Sequence, residues 1–592
     1  MLRTILIVIL ICTFAQARSE SRLEKQGTAT RLIVDDAPYI ITPYIIIGGE
    51  TGNSMGSSTA DVSECIAKAK AHGYNTVLFP VSWELIEPEK GKFDFATVDD
   101  IISQASAEEL KVVFLWFGAW KNSMSCYAPE WFKRDTKFYP RARTASGKPL
   151  EIASAFSKNV FDADAKAFTS LLRHIKETDK SGTVIMLQVE NEIGMLEDAR
   201  DHSDLANAAY NKGVPAELVS HLKKYKKSLH PQLLSKWQKA GMKQSGSWTE
   251  VFGDDIFTDE IFMAYYYAKY VEGLAQIARS IFPDMPLYVN AAMNSRGRLP
   301  GEYPSAGPLA HLKDIWHAAA PTINFLSPDL YDSGFTSWVA TYALPDNPLF
   351  IPEIKATPAN SAQAYYVIGE HNAIGLSPFA FNLRPEADYE YQRKGNETLQ
   401  SLTPVIARHL GKGTMNGFYF DSDSVSRTIE RDGVRIKASH YFTLPWDPRA
   451  TDGSPWKPVG GLIINISPLE YIVAGSGLVL TFEPALSKAP TTTAILGEDG
   501  FALTPTAKSS DKSDTFHKSD SSDKSDKSDP SDSSDSPFPR LGLASVTEVS
   551  VSPDGALHRI RTFNGDETHQ GRHIRIGVDD FKILHVKLYE YE

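Results

Sequence analysis

Cysteine is nearly absent: the 592 residues hold three, of which Cys12 lies in an N-terminal apolar run and only Cys65 and Cys126 stand in the body of the chain. Two are too few for a disulfide framework, and they leave open one bridge or two free thiols. Metal-ligand spacing is missing too. There is no Cys-x-x-Cys, no His-Glu-x-x-His, and the histidines are scattered, so neither a metal nor another cofactor is expected. Basic residues are in deficit, 61 Lys and Arg against 73 Asp and Glu, for a net charge of -12. That balance argues against a nucleic-acid partner and fits a neutral or weakly charged one. No run reaches the roughly 20 apolar residues that a membrane span needs.

What the chain does have begins with a leader-like segment. Arg3 precedes the run Ile5 to Ile11, and Ala15-Gln16-Ala17 fits a small-x-small cleavage site. This predicts a signal peptide over 1–17 and a secreted, extracellular or periplasmic, protein. Asn396-Glu397-Thr398 and Asn465-Ile466-Ser467 fit the acceptor pattern for N-glycosylation.

From about residue 40 to 410, short apolar runs alternate with amphipathic stretches. The runs begin with Ile45-Ile46-Ile47-Gly48-Gly49, then Thr76 to Val81, Val112 to Phe117 and Val184 to Val189. Leu287 to Asn290, Ile323 to Ser327, Leu349 to Pro352 and Gly375 to Phe381 complete eight. Continuous apolar runs of this length mark strands covered on both faces, as in parallel sheets. Between them, Asp61 to His72 repeats Val62, Cys65, Ile66 and Ala69 at helical spacing before Gly73 supplies a stop. Eight strand–helix units predict an α/β fold, a (β/α)8 TIM barrel over 18–411. A Lys-rich excursion from about 195 to 260 follows the fourth strand and is expected to sit over the active-site face.

After about residue 412 the period changes to alternation, as in Gly417 to Phe420, Gly477 to Phe482 and His585 to Tyr591. A C-terminal antiparallel β-sandwich-like domain over 412–592 follows from it. It is interrupted at 506–538 by Ser-Asp and Asp-Lys-Ser-Asp units with almost no apolar residue, a composition that favours disorder. The short stretch that follows favours an inserted loop in one domain over a linker between two.

Chemistry concentrates at two strand exits. The fourth run delivers Glu190-Asn191-Glu192-Ile193 and the seventh delivers Glu353. Strand ends are where parallel barrels keep their reacting groups, and a buried carboxylate is costly without a partner or a task. Two glutamates placed across a barrel mouth point to carboxylate-pair chemistry, with glycoside hydrolysis the leading case. Glu192 is assigned as acid/base, kept protonated by burial or by the charge of Glu353, and Glu353 as nucleophile. Asn191 is placed to hydrogen-bond a sugar hydroxyl. Trp120, Tyr331 and Trp83, past strand ends, are candidate sugar platforms, whereas Trp116 lies within its strand and reads as core. Glu50 and Asn122, with Lys121, are candidate hydroxyl ligands.

Leu187-Gln188-Val189-Glu190-Asn191-Glu192-Ile193-Gly194 resembles the Gln-Val-Glu-Asn-Glu-Tyr-Gly motif of glycoside hydrolase family 35, the β-galactosidases. Val81-Ser82-Trp83-Glu84, with Glu87-Pro88 and Gly91-Lys92-Phe93-Asp94-Phe95, resembles a segment shared by families 35 and 42. Ile193 replaces the motif's Tyr, and Gly118-Ala119-Trp120-Lys121-Asn122 replaces its Cys-Ala-Glu-Trp segment. These departures are similar to a divergent, microbial-type branch with its own C-terminal β-domain. The resemblance implies a retaining exo-β-glycosidase releasing terminal galactose from oligosaccharides or polysaccharides such as plant cell-wall side chains. A β-glucosidase, an endo-β-glycanase or a non-catalytic carbohydrate-binding barrel are the alternatives.

Overall fold

The computed structural model describes residues 21–34, 44–52, 59–294, 296–386, 389–485, 495–496, 502–503 and 540–591. The leader at 1–17 and the Ser/Asp/Lys-rich stretch at 506–538 lie outside the described residues.

Eight parallel strands close into a barrel in chain order: Ile46–Glu50, Thr76–Ser82, Lys111–Phe117, Val184–Gln188, Leu287–Ala292, Phe325–Leu330, Phe350–Ile354 and Gly375–Pro378. They are the eight expected runs. Each is buried along nearly its whole length, because helices cover the outside and side chains fill the inside. Closure brings Gly375 and Leu376 opposite Ile46 and Ile47. A Cβ at Gly375 would lie 2.2 Å from the carbonyl oxygen of Ile46, so the eighth strand meets the first only where no side chain intervenes.

The barrel interior is apolar at its lower end. Ile46, Leu78, Val113, Ile185, Tyr288, Phe325 and Phe350 share one apolar cluster. Tyr288 stacks on Phe325 at 5.7 Å and meets Phe350 edge-on at 5.3 Å. Leu32 and Val34 join the same cluster from the end of a hairpin, Arg22–Gln26 paired with Ala29–Ile33. The hairpin plugs the end where the strands begin. Sequence reading did not foresee it, since five-residue strands with mixed exposure leave little periodicity.

Helix Thr59–Ala71 ends before Gly73, whose φ of 68° suits glycine. The excursion after the fourth strand folds into Asp204–Tyr210, Ala216–Lys224, Pro231–Lys239 and Trp248–Phe252. Ser247 and Glu250 form a capping box there, and Asp255 caps the long helix Ile256–Ile281 that returns to the barrel.

A second compact unit gathers residues 361–370, 397–409 and 414–592. It contains a six-stranded antiparallel sheet, ordered Met415–Phe420, Val459–Ser467, Glu470–Ser476, Lys582–Tyr591, Arg540–Val551, Leu557–Thr562. A four-stranded sheet of Ser426–Arg431, Val434–His440, Leu478–Pro484 and Ile574–Arg575 accompanies it. Phe418, Ile463 and Val586 from one sheet share a buried core with Ile436 and Leu480 from the other, which makes a sandwich. Lys582–Tyr591 pairs with Glu470–Ser476, so segments on both sides of 506–538 build one sheet.

The structure bears on the cysteines, which the sequence left open, and on the glycosylation patterns. Cys65 is buried and Cys126 exposed, and both are free thiols rather than a bridge. The asparagines of the two glycosylation patterns are buried: the Asn396 amide donates to the His72 carbonyl at 2.8 Å and that of Asn465 to Asp432 at 2.6 Å. An amide nitrogen engaged inside the protein leaves no room for a glycan.

Candidate active site

The chain leaves the fourth strand through two residues with left-handed backbone, Glu190 at φ 61° and Glu192 at φ 44°. Non-glycine residues adopt this region at a cost, and such turns persist where surrounding bonds over-determine them. Here each residue is pinned. Trp120 N–H donates to Glu190 Oε2 at 2.8 Å, Lys121 Nζ donates to Asn191 Oδ1 at 2.8 Å, and Glu192 N–H donates to Asn290 Oδ1 at 3.0 Å. Ser123 N–H closes the turn on the Glu192 carbonyl at 3.1 Å.

Three strands bring their exits to this turn. Asp329 and Glu353 are register partners on the sixth and seventh strands, so their side chains leave the sheet side by side. Carboxylate oxygens of Glu192, Asp329 and Glu353 all lie within 4.8 Å of one another, and all three residues are buried. Asn290 Nδ2 donates to Asp329 Oδ2 at 2.7 Å. The Tyr331 hydroxyl donates to Glu353 Oε1, and the buried carboxyl of Glu50, from the end of the first strand, lies near enough to Glu353 to interact with it electrostatically. A cavity of about 180 Å³ opens over Glu192 and Asp329, lined also by Met293, Tyr331, Asp332 and Trp338 among others.

The electrostatics separate the glutamates. Burial first, then the charge of Glu353, push the Glu192 carboxyl up to about 7, against the pull of Lys121. Burial also raises Glu353, but Lys121, the Tyr331 hydroxyl and Glu50 oppose the rise. Glu50 and Asp329 are pushed well above the ordinary carboxylate range, by burial and then by their acidic neighbours. Four crowded carboxyls cannot all ionise. The Tyr331 hydroxyl and the charge of Lys121 favour the ionised form of Glu353, whereas the stronger upward push on Glu50 and Asp329 favours their protonated forms.

The expected residues fare unequally. Glu192, Glu353, Tyr331 and Glu50 come together. Asn191 is adjacent, with Oδ1 taken by Lys121 and Nδ2 buried without a hydrogen-bond partner among the described residues. Trp120 does not present a sugar platform: it is fully buried, with its ring met edge-on by Tyr267 and Tyr270. Trp83 is likewise core, its Nε1 donating to Glu87 at 2.8 Å. Asn122 is exposed at φ 50° and does not line the cavity. None of the cavity's lining comes from the excursion after residue 195, contrary to expectation. Sequence reading missed Asp329, Asn290 and Trp338. Asp329 carried the same signal as the glutamates, an acidic group at the exit of a buried strand, in Ser327-Pro328-Asp329.

Glu192, Asp329 and Glu353 also have spacing that could hold a cation. One oxygen of Asp329 and one of Glu353 are, however, already accepting hydrogen bonds from Asn290 and Tyr331, an arrangement suited to organic chemistry on carboxylates.

Residues 42–232 match the family described as glycosyl hydrolases family 35, and residues 394–575 match a domain of unknown function, DUF5597. Over 152 residues the chain is 33% identical to a beta-galactosidase of Xanthomonas manihotis, covering 24% of this chain and 22% of that one. Over 164 residues it is 27% identical to beta-galactosidase-1-like protein 3 of Rattus norvegicus, covering 26% and 24%. These alignments thus span less than a quarter of either relative's length. Among solved structures, a catalytic mutant of Gan42B, a GH42 beta-galactosidase from G. stearothermophilus, superposes with a TM-score of 0.44 at 14% identity, over 61% of this chain and 57% of that one. The matched stretch holds the first four barrel strands and the Glu190-Asn191-Glu192 turn, and over it the chain is similar to glycosyl hydrolases family 35, with a region similar to DUF5597 following in sequence.

Proposed function

We propose that the chain is a retaining exo-β-glycosidase, a β-galactosidase that removes terminal galactose from oligosaccharides or polysaccharides. The observation that carries the reading is the approach of Glu192 and Glu353 oxygens to within 4.8 Å at the ends of strands four and seven. Retaining pairs are about 5–5.5 Å apart, while inverting pairs stand about 6.5–9.5 Å apart to admit a water. Glu353 attacks the anomeric carbon as the bond to the leaving oxygen breaks, and the Glu192 proton passes to that oxygen. Ionised Glu192 then takes a proton from water, which attacks the same carbon and releases Glu353. Two inversions give net retention, and no cofactor takes part.

The names of the matched relatives support galactose as the sugar. The cavity, at about 180 Å³, falls below the roughly 300–1,000 Å³ of pockets for larger ligands and suits a single sugar ring. The leader-like residues 1–17 support export, which puts extracellular saccharides such as cell-wall side chains within reach. A panel of aryl β-glycosides differing only in the sugar tests the reading. Galactoside turnover should exceed that of glucoside and arabinoside; preference for glucoside overturns the galactosidase assignment, and no turnover of any overturns the enzyme.

Tyr331→Phe tests the nucleophile's setting. The hydroxyl donates to a carboxylate, a bond worth about 1.5–3 kcal/mol. Its loss should lower kcat about 10- to 100-fold, with a smaller change in KM.

A further inference from the structure

Behind the Glu192 turn lies a second carboxyl pair that double displacement does not use. Glu190 and Asp164 are both fully buried and hydrogen-bonded to each other. Asp164 reaches in from helix Lys158–Thr178 and accepts Trp116 Nε1–H at 2.9 Å and the Tyr270 hydroxyl at 2.7 Å. Glu190 accepts the backbone N–H of Trp120 at 2.8 Å, and that of Ala119 more distantly at 3.4 Å. The space is shaped for the pair, since a Cβ at Gly118 would lie 2.7 Å from oxygens of both.

Two touching carboxyls away from water cannot both be ionised. Asp164 holds two side-chain donors, so it is the better anion, and the shared proton belongs on Glu190. Burial, followed by the charge of Asp164, pushes Glu190 well above the ordinary carboxylate range, whereas hydrogen bonds temper the rise at Asp164.

We infer that Glu190 is a positioning residue: as a neutral acid it donates to Asp164 and accepts from the Trp120 amide, and so holds the Asn191–Glu192 turn against the exit of the third strand. The brace has consequences in both directions along the turn. Asn191 N–H bonds the Trp120 carbonyl at 3.4 Å, and Lys121, next in the chain, holds Asn191 Oδ1. Fixing residues 119–121 therefore fixes Asn191 and, through it, Glu192 over the cavity. Without the brace, Glu192 keeps its identity and loses its aim.

This inference rests on the acid/base role proposed for Glu192, and its test separates the two. A series of aryl β-galactosides of graded leaving-group strength is assayed with full-length wild type, Glu190→Ala, Glu190→Gln and Tyr270→Phe. Misplacing the acid by about 1 Å costs on the order of 100-fold. Glu190→Ala should lose about that much kcat on poor leaving groups and only a few-fold on strongly activated ones, with KM little changed. Glu190→Gln presents an N–H to Asp164 and a carbonyl to Trp120, and should recover most of the lost profile. Tyr270→Phe removes one donor from Asp164 without emptying the site, and should steepen the leaving-group dependence slightly. It decides the matter should Glu190→Ala fail to fold. Uniform loss across the series in Glu190→Ala, or no change of slope in Tyr270→Phe, overturns the positioning role. Glu190→Gln as impaired as Glu190→Ala overturns the neutral-acid assignment. A wild type without turnover on the whole series would instead sink the functional reading itself.

Discussion

Replacing Glu353 with Gly should abolish ordinary turnover, by on the order of 10⁵- to 10⁶-fold, the scale reached when a nucleophile is removed from a covalent mechanism. The variant should keep its fold, since Glu353 stands at the end of its strand and its removal relieves crowding with Glu50 and Asp329. Added azide should restore turnover of an activated aryl galactoside. The small anion enters the volume left by the carboxylate and attacks the anomeric carbon from the same face. One displacement then replaces two, so the product is the inverted glycosyl azide. Its stereochemistry, read by proton NMR, is the decisive observation. Absence of rescue, or a retained azide, would remove Glu353 from the nucleophile's role. Besides Glu192, the acid/base, Glu50 and Asp329 are the acidic neighbours placed to take it, and both are expected to be protonated.

The barrel was legible because buried parallel strands have a simple signature. With both faces covered, each strand is a continuous apolar run, and the residue that breaks the run is where the chemistry stands. That rule found Glu192 and Glu353, and applied evenly it would have found Asp329. Counting aromatics past strand ends was less reliable. Trp120 and Trp83 follow strand exits as Tyr331 does, yet the first two turn into the packing between strand and helix and only Tyr331 faces Glu353. A chain direction fixes where a side chain starts, and local backbone twist decides which side it takes. The left-handed turns at Glu190 and Glu192 are invisible to period counting, and they explain why two glutamates separated by one residue have opposite environments. Glu190 points back into the protein at Asp164, and Glu192 points over the cavity. The plug hairpin at 22–33 escaped for a plainer reason: its packing partners are scattered along the chain from Ile46 to Ile374.

Replacing Glu192 with Ala should produce a loss whose size depends on the substrate, and the contrast with Glu353→Gly is what fixes the two roles. General-acid assistance is worth about 10²- to 10⁴-fold where the leaving oxygen needs a proton. Galactosides of simple alcohols should lose about that much in kcat/KM, whereas dinitrophenyl galactoside, whose leaving group departs as an anion, should lose no more than about tenfold. The second step loses its base, so the glycosyl–Glu353 intermediate should accumulate and give a burst. Azide should now accelerate its breakdown. The anion attacks from the face opposite Glu353, a second inversion, and the product is the retained glycosyl azide. The pH profile supplies an independent check. Glycosylation needs the protonated form, and Glu192 is pushed up to about 7 by burial and by Glu353. In wild type, kcat/KM should therefore fall as pH rises through that value. Glu192→Ala should lose this alkaline limb. In Glu353→Gln the neighbouring charge is gone while burial remains, so Glu192 should titrate lower than in wild type and still above the ordinary carboxylate value near 4.3, as read by carbon NMR of the labelled carboxyl. An alkaline limb that survives Glu192→Ala, or equal losses for good and poor leaving groups, would assign the proton to another residue, with Asp329 the one in reach.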